Sequence, residues 1–214
     1  RRALTVRLPI ELTLPILPAE ASEVLSLRGV SAHSTERTLF PPFDLSLGRQ
    51  RIALTGPNGA GKTTLLQIAL GARSPSTGSA WRDLDRIGSI AQGAADWQLD
   101  DSLLTLLHTQ RPLESDEKVA QVLVAHKFPL ALAERPLRSL SPGERTRAAL
   151  ICLFQRSPAI ELLVLDEPTF SLDLVGQRAL TSALRAWPGG LLVASHDQAF
   201  LAAIDATTTL ELSR

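Results

Sequence analysis

A glycine-rich run of eight residues constrains the fold of this chain more than any other feature. Residues 56–63 are Gly-Pro-Asn-Gly-Ala-Gly-Lys-Thr, which satisfies the pattern G-x-x-x-x-G-K-[S/T]. Such a loop follows a buried strand and begins a helix, so that main-chain amides and the helix N-terminus point at an anion. The flanking sequence fits, because Arg51–Thr55 is typical of a strand and residues 62–70 are typical of a helix. We therefore predict a loop that binds the phosphates of a nucleotide.

The pattern assigns a task to each residue of the loop. Lys62 is predicted to place its charge on the phosphates, and the Thr63 hydroxyl is predicted to bind Mg²⁺. The glycines let the main-chain amides turn inward around the anion. The predicted nucleotide-binding residues of this segment are Gly56, Pro57, Asn58, Gly59, Ala60, Gly61, Lys62, Thr63 and Thr64.

Two adjacent carboxylates, Asp166 and Glu167, follow the apolar run Leu162–Leu165. A buried parallel strand presents its C-terminal residues at the edge of the sheet where the ligands of α/β proteins bind. We predict that Asp166 holds the hydration shell of Mg²⁺. We expect Glu167 to orient the attacking water or to accept its proton.

Short apolar runs alternate with helical patterns along most of the chain, which indicates an α/β fold with a parallel sheet. Residues 102–157 are mostly helical in pattern and are predicted to form a subdomain inserted into the core, within a main domain of residues 24–212. Residues 1–23 contain Pro9, Pro15 and Pro18 and are predicted to be an extended lead-in or linker. Strands are predicted at 24–27, 45–47, 51–55, 86–91, 162–165, 191–195 and 207–212, and helices at 62–70, 142–155, 174–186 and 198–204.

Further motifs surround the loop and the acidic strand in a fixed order. They are Gln92, the run Leu140-Ser141-Pro142-Gly143-Glu144, the run Ser171-Leu172-Asp173, and His196. Together these motifs resemble those of the ATP-binding cassette (ABC) ATPases, over roughly residues 24–212. The resemblance implies an ABC-type P-loop ATPase fold, with a mixed or parallel sheet core and an inserted helical subdomain.

The resemblance also implies roles and cofactors. ATP and Mg²⁺ are the expected cofactors, with Gln92 as a further Mg²⁺ ligand and with His196 and Gln92 as catalytic residues beside Glu167. Ser141, Gly143 and Glu144 are expected to contact ATP that a second cassette holds. On its own, Ser141-x-x-Glu144 is also the pattern of a helix capping box.

Within that family the chain is most similar to the ABC-F group, in particular to the C-terminal cassette of its two-cassette proteins. Glu144 and the residues after it, and the stretch around His196, resemble the group's patterns. Three departures stand out: Pro142 replaces a glycine, Phe170-Ser171 replaces Asn-His, and no tyrosine is present to stack on adenine. His33 and Phe40 are the candidates for that stacking role.

The resemblance favours a cytoplasmic ATPase that is active as paired cassettes and acts on the ribosome, in translation or in antibiotic resistance. Two alternatives remain: the ATP-binding subunit of a membrane transporter, and a degenerate cassette that binds ATP as a structural or regulatory module. Composition limits other classes, because 22 basic and 22 acidic residues leave no net charge to hold nucleic acid or anionic lipid. The single cysteine, Cys152, lies in an apolar run and is predicted to be a core residue.

Overall fold

The computed structural model describes residues 14–18, 22–34, 37–170, 172–206 and 208–213. The predicted lead-in therefore lies mostly outside the described residues, as do Ser171 and Thr207. Its described parts, residues 14–18 and 22–23, are in neither helix nor strand.

The described strands form two sheets, and the fold prediction of a mixed and parallel α/β core is confirmed. A five-stranded sheet has the order β5-β6-β7-β3-β8, with every neighbouring pair parallel. A three-stranded antiparallel sheet has the order β2-β1-β4. The strands are β1 Leu25–His33, β2 Thr38–Leu47, β3 Arg51–Thr55, β4 Thr77–Arg82, β5 Ile87–Ile90, β6 Leu162–Asp166, β7 Gly190–Ala194 and β8 Thr208–Glu211.

Alternating residues of the central strands divide the core into two layers. In β6, Leu162 and Val164 pack with the antiparallel sheet and the first helix, whereas Leu163 and Leu165 pack with the helices on the other side. Strands β6 and β7 are therefore buried on both faces, which explains their nearly continuous apolar sequences. The helices are α1 Lys62–Ala69, α2 Leu103–Gln110, α3 Asp116–Ala125, α4 Leu130–Ala133, α5 Pro142–Phe154, α6 Leu174–Ala186 and α7 Gln198–Ala203.

Helices α2 to α5 share a separate apolar cluster, which includes Leu107, Leu123 and Ile151. The other side of α5 packs on the parallel sheet through Leu150 and Leu153. This arrangement agrees with helical residues inserted between β5 and β6, and the boundaries of a subdomain at 102 and 157 stay a prediction. None of the helices in the described part of the chain has both the length and the apolar character that crossing a membrane requires.

The antiparallel sheet differs most from the sequence-based assignment. Strand β4 was not predicted, because Thr77–Arg82 is largely polar and exposed and shows no apolar alternation. Strand β2 begins at Thr38 and not at residue 45, although Pro41 and Pro42 argue against a strand. Its position at the sheet edge explains this, because an edge strand does not need every amide for pairing.

Candidate nucleotide site

Strands β3, β6 and β7 are neighbours in the parallel sheet, and their carboxyl ends meet at one edge. The loop of residues 56–61 leaves β3, the pair Asp166 and Glu167 ends β6, and His196 follows β7. The fold thus brings together residues that are more than a hundred positions apart in sequence.

Glycine is required in the loop for two different reasons. At Gly56, φ is +136°, and an added Cβ atom would lie 2.3 Å from the carbonyl oxygen of Leu212. At Gly61, φ is +101° and the residue caps α1 without a side-chain hydrogen bond. The first amides of α1 therefore remain available to an anion, and the loop can keep its tight path.

The Lys62 ammonium lies over this loop and donates hydrogen bonds to its carbonyl groups. Its Nζ atom is 2.7 Å from the Gly56 oxygen and 3.3 Å from the Pro57 oxygen. The charge is thus held at the mouth of the loop, where an incoming phosphate can compete with two neutral acceptors.

Thr63 and Asp166 form a pair of oxygen ligands beside the lysine. The Thr63 hydroxyl donates to Asp166 Oδ2 at 2.8 Å. Burial raises the pKa of the Asp166 carboxyl, and Glu167 adds to that effect, whereas the Thr63 hydrogen bond and Lys62 oppose it. A hydroxyl and a carboxylate are ligands that Mg²⁺ prefers, so this donor set fits the ion.

Glu167 adopts a left-handed main-chain conformation, with φ of +43°. Its amide donates to the Ala194 oxygen at 2.8 Å, which fixes the end of β6 against β7. One carboxylate oxygen lies 2.9 Å from His196 Nδ1, and the other accepts from the Ser195 hydroxyl at 3.4 Å. Because the His196 side chain is 82% exposed, it can reorient toward a ligand without unpacking the core.

These groups line a cleft of about 520 Å³. Ten of its twelve lining residues are among those predicted from the sequence, including Gln92. The two that sequence reasoning missed are Leu39 and Phe170, and Phe170 is about half exposed. The lining is made by Leu39, Asn58, Gly59, Gly61, Lys62, Thr63, Thr64, Gln92, Asp166, Glu167, Phe170 and His196.

The run Leu140–Glu144 lies outside the lining of this cleft. Ser141 caps α5 in a capping box, as the Ser-x-x-Glu pattern indicates. Glu144 Oε2 accepts from the Ser141 amide at 2.9 Å and from its hydroxyl at 2.7 Å, while the Glu144 amide donates to the hydroxyl at 3.3 Å. Pro142 occupies the first position of the helix, where proline is tolerated.

The suggestion that Phe40 stacks on adenine is wrong. Its ring is 1% exposed and packs edge-on against Phe43 at a centroid distance of 5.6 Å. The side chain of the preceding residue in β2, Leu39, points to the opposite face and lines the cleft. The other candidate, His33, is exposed on β1 and is not part of the lining.

The profile of the ABC transporter family matches residues 42–170, more than half of the chain. The match spans the loop, Gln92 and the acidic strand. The chain belongs to the ABC transporter family. This ABC ATPase cassette also has relatives that share most of its length.

The chain is 32% identical to the ribosome protection protein VmlR of Bacillus subtilis, over 92% of this chain and 35% of that protein. It is 36% identical to the human ATP-binding cassette sub-family F member 3, over 71% of this chain and 21% of that protein. The chain therefore spans about a third or less of the length of these relatives. A solved ATP-binding subunit of an ABC transporter has the same fold, with a TM-score of 0.70 at 19% identity, over 88% of this chain and 85% of that one.

Proposed function

We propose that this cassette binds MgATP in the cleft and hydrolyses it when a second cassette closes over the nucleotide. One observation carries the proposal: Lys62, the Thr63–Asp166 pair and the Glu167–His196 pair converge at the carboxyl edge of three adjacent strands. Phosphoryl transfer depends mainly on positioning and charge stabilisation, and these groups supply both.

Binding begins with the loop and the first turn of α1. The amides of the loop and of α1 donate hydrogen bonds to the phosphate oxygens, and Lys62 exchanges the carbonyl oxygens of Gly56 and Pro57 for phosphate. The Thr63 hydroxyl and the Asp166 carboxylate would hold Mg²⁺, with Gln92 as a further oxygen ligand. When bound, that ion neutralises charge that builds up on the transferring phosphate.

Glu167 and His196 act on the other reactant, water. The Glu167 carboxylate, held by His196 and Ser195, accepts a hydrogen bond from the attacking water and can receive its proton. His196 then orients the terminal phosphate, since its exposed ring can reach the cleft.

The face beside the cleft supports pairing with a second cassette. Phe170, Leu174 and Val175 are large apolar residues that are 53%, 62% and 43% exposed. Ser141 and Gly143 at the start of α5 are absent from the lining of the cleft, as we expect if they serve nucleotide held by the other cassette.

We further propose that the complete protein is a cytoplasmic ABC-F factor that acts on the ribosome, with this chain as its C-terminal cassette. Similarity to a ribosome protection protein over 92% of the chain supports this proposal. The alternative is a transporter subunit, because solved ABC transporters are similar to this chain in fold.

The proposal is tested with the Glu167→Gln variant, which keeps the shape of the side chain and removes the base. We expect ATP to bind with unchanged affinity and turnover to fall by at least about a hundredfold. The exposed Glu134, changed to Gln, is the matched control and should keep its turnover. Unchanged turnover in the Glu167→Gln variant would contradict the assigned role.

The same variant of the complete natural protein should sediment with ribosomes in the presence of ATP, because the closed, ATP-bound state persists. A parallel sample without ATP, in which the protein should stay in the supernatant, serves as the control. Absence from the ribosomal pellet while ATP binding is intact would contradict the ribosome proposal and leave the ATPase proposal standing.

A further inference from the structure

A buried arginine links the start of α5 to the loop that carries Gln92. Arg145 is the fourth residue of α5 and is only 7% exposed. Its Nε donates to the Ala94 oxygen at 3.1 Å, and its Nη2 donates to the Gly93 oxygen at 3.0 Å. The third nitrogen, Nη1, donates to the Leu140 oxygen at 3.3 Å. One guanidinium thus joins two segments that are about fifty residues apart.

The loop after Gln92 needs such support because its path is strained. Gly93 and Ala94 both have positive φ, +61° and +52°. This conformation is strained for a residue with a Cβ atom, so Ala94 stays there only if contacts hold it. At the far side of the turn, Asp96 Oδ1 accepts from the Ala91 amide at 3.0 Å.

We propose that Arg145 is a positioning residue that sets how far Gln92 reaches into the nucleotide cleft. It does so by holding the carbonyl groups of the two residues that follow Gln92. This inference rests on the proposed nucleotide site. Helix α5 also carries Ser141 and Gly143, which we propose to contact nucleotide held by a second cassette. A shift of α5 therefore moves Gln92 as well.

The geometry requires arginine and not merely a positive charge. Three donors of one planar group reach three main-chain oxygens at once, which a lysine ammonium on a flexible stem does not reproduce in the same directions. Arg145→Lys therefore keeps the charge and breaks the clamp, and Arg145→Gln removes both.

The chain provides a matched control two residues further along α5. Arg147 also donates to main-chain oxygens, those of His126 and Lys127, and lies over the Phe128 ring at 5.4 Å. None of these four residues lines the cleft. Arg147→Gln thus removes a similar clamp from the same helix without touching the Gln92 loop.

The decisive experiment is a double-mutant cycle of Arg145→Gln with Gln92→Ala, measured as ATP turnover of the complete natural protein. We expect each single change to lower kcat by at least about tenfold, because small displacements at a reacting centre are costly. The double variant should be no slower than the slower single variant, since both changes remove the same function. The affinity for ATP measured without Mg²⁺ depends mainly on the loop of residues 56–63. It should change by less than about twofold in each variant.

Arg147→Gln alone should keep kcat within about twofold of the parent protein, and adding it to Gln92→Ala should cause no further loss. Amide hydrogen exchange gives a second measurement that does not depend on turnover: residues 91–98 should exchange faster in Arg145→Lys than in Arg147→Lys. Turnover of the Arg145 variants within about twofold of the parent protein, or losses that multiply with those of Gln92→Ala, would overturn the inference.

The cycle separates the two proposals. If Lys62→Ala abolishes ATP binding and Gln92→Ala slows turnover while the Arg145 variants behave like the parent, only the positioning role fails. If Lys62→Ala and Gln92→Ala both leave binding and turnover unchanged, the nucleotide site itself fails, and the positioning role fails with it.

Discussion

The left-handed main-chain conformation of Glu167 can be tested by its effect on the stability of the protein. At φ of +43° the residue is in the left-handed region, which costs a residue with a Cβ atom about 1–2 kcal/mol. Glycine pays no such cost, but in ordinary positions it is about 0.5–1 kcal/mol less favourable than alanine because its unfolded chain is freer. At position 167 the strain that glycine relieves should exceed the entropic cost that glycine adds.

The comparison to make is Glu167→Gly against Glu167→Ala. Both variants lack the carboxylate and its contacts with His196 and Ser195, so the loss of those hydrogen bonds cancels. We expect the glycine variant to be more stable than the alanine variant by about 0.5–1 kcal/mol. For a chain of this size that difference corresponds to a shift in Tm of a few degrees. Neither variant should turn over ATP.

The assay is urea unfolding without nucleotide and with EDTA, extrapolated linearly to water. Arg178, exposed in the middle of α6, provides the control of opposite sign, because Arg178→Gly should be about 1 kcal/mol less stable than Arg178→Ala. If glycine is also the less stable residue at position 167, the strain argument is refuted.

Three further predictions concern single side chains. Burial raises the pKa of the Cys152 thiol to about 11, so iodoacetamide should label it at pH 8 only after unfolding; labelling of the folded protein at the rate of a free cysteine would contradict this. Ser141→Ala should cost about 1 kcal/mol in urea unfolding through loss of the capping box, whereas Ser115→Ala should cost little, because Ser115 precedes α3 without a side-chain cap. Burial raises the pKa of Asp96 above its ordinary value, so its contribution to stability is complete below the unfolded pKa and is lost as pH rises through the folded one. The urea midpoint of the parent protein, relative to that of Asp96→Asn, should therefore be highest at about pH 3.5 and should fall toward pH 7.

Local motifs with a strict geometry could be predicted from the sequence. The loop of residues 56–63 requires its strand and helix on either side, and both occur where the pattern puts them. The helix predicted at residues 174–186 has the same bounds in the structure, where α6 is Leu174–Ala186. Buried strands such as β6 could also be predicted, because burial on both faces leaves a continuous apolar run.

Features that depend on distant partners could not be predicted. Strand β4 exists through its pairing with β1, and nothing in its own polar sequence indicates that pairing. The choice between Leu39 and Phe40 as the residue facing the cleft depends on the register of β2, which a proline-rich edge strand does not reveal. The contact of Arg145 with Gly93 and Ala94 joins segments whose proximity only the fold creates.

Several side chains proposed to touch the nucleotide or its attacking water already have a partner within the chain. Lys62 donates to the Gly56 oxygen, Thr63 to Asp166, Glu167 pairs with His196, and Ser141 is held by its capping box. Binding therefore exchanges hydrogen bonds and does not simply add them, so the net gain per contact is modest. It follows that the fixed elements, the loop amides and the N-terminus of α1, supply most of the affinity. The side chains that must change partners are the ones able to distinguish the closed, reacting state from the open one.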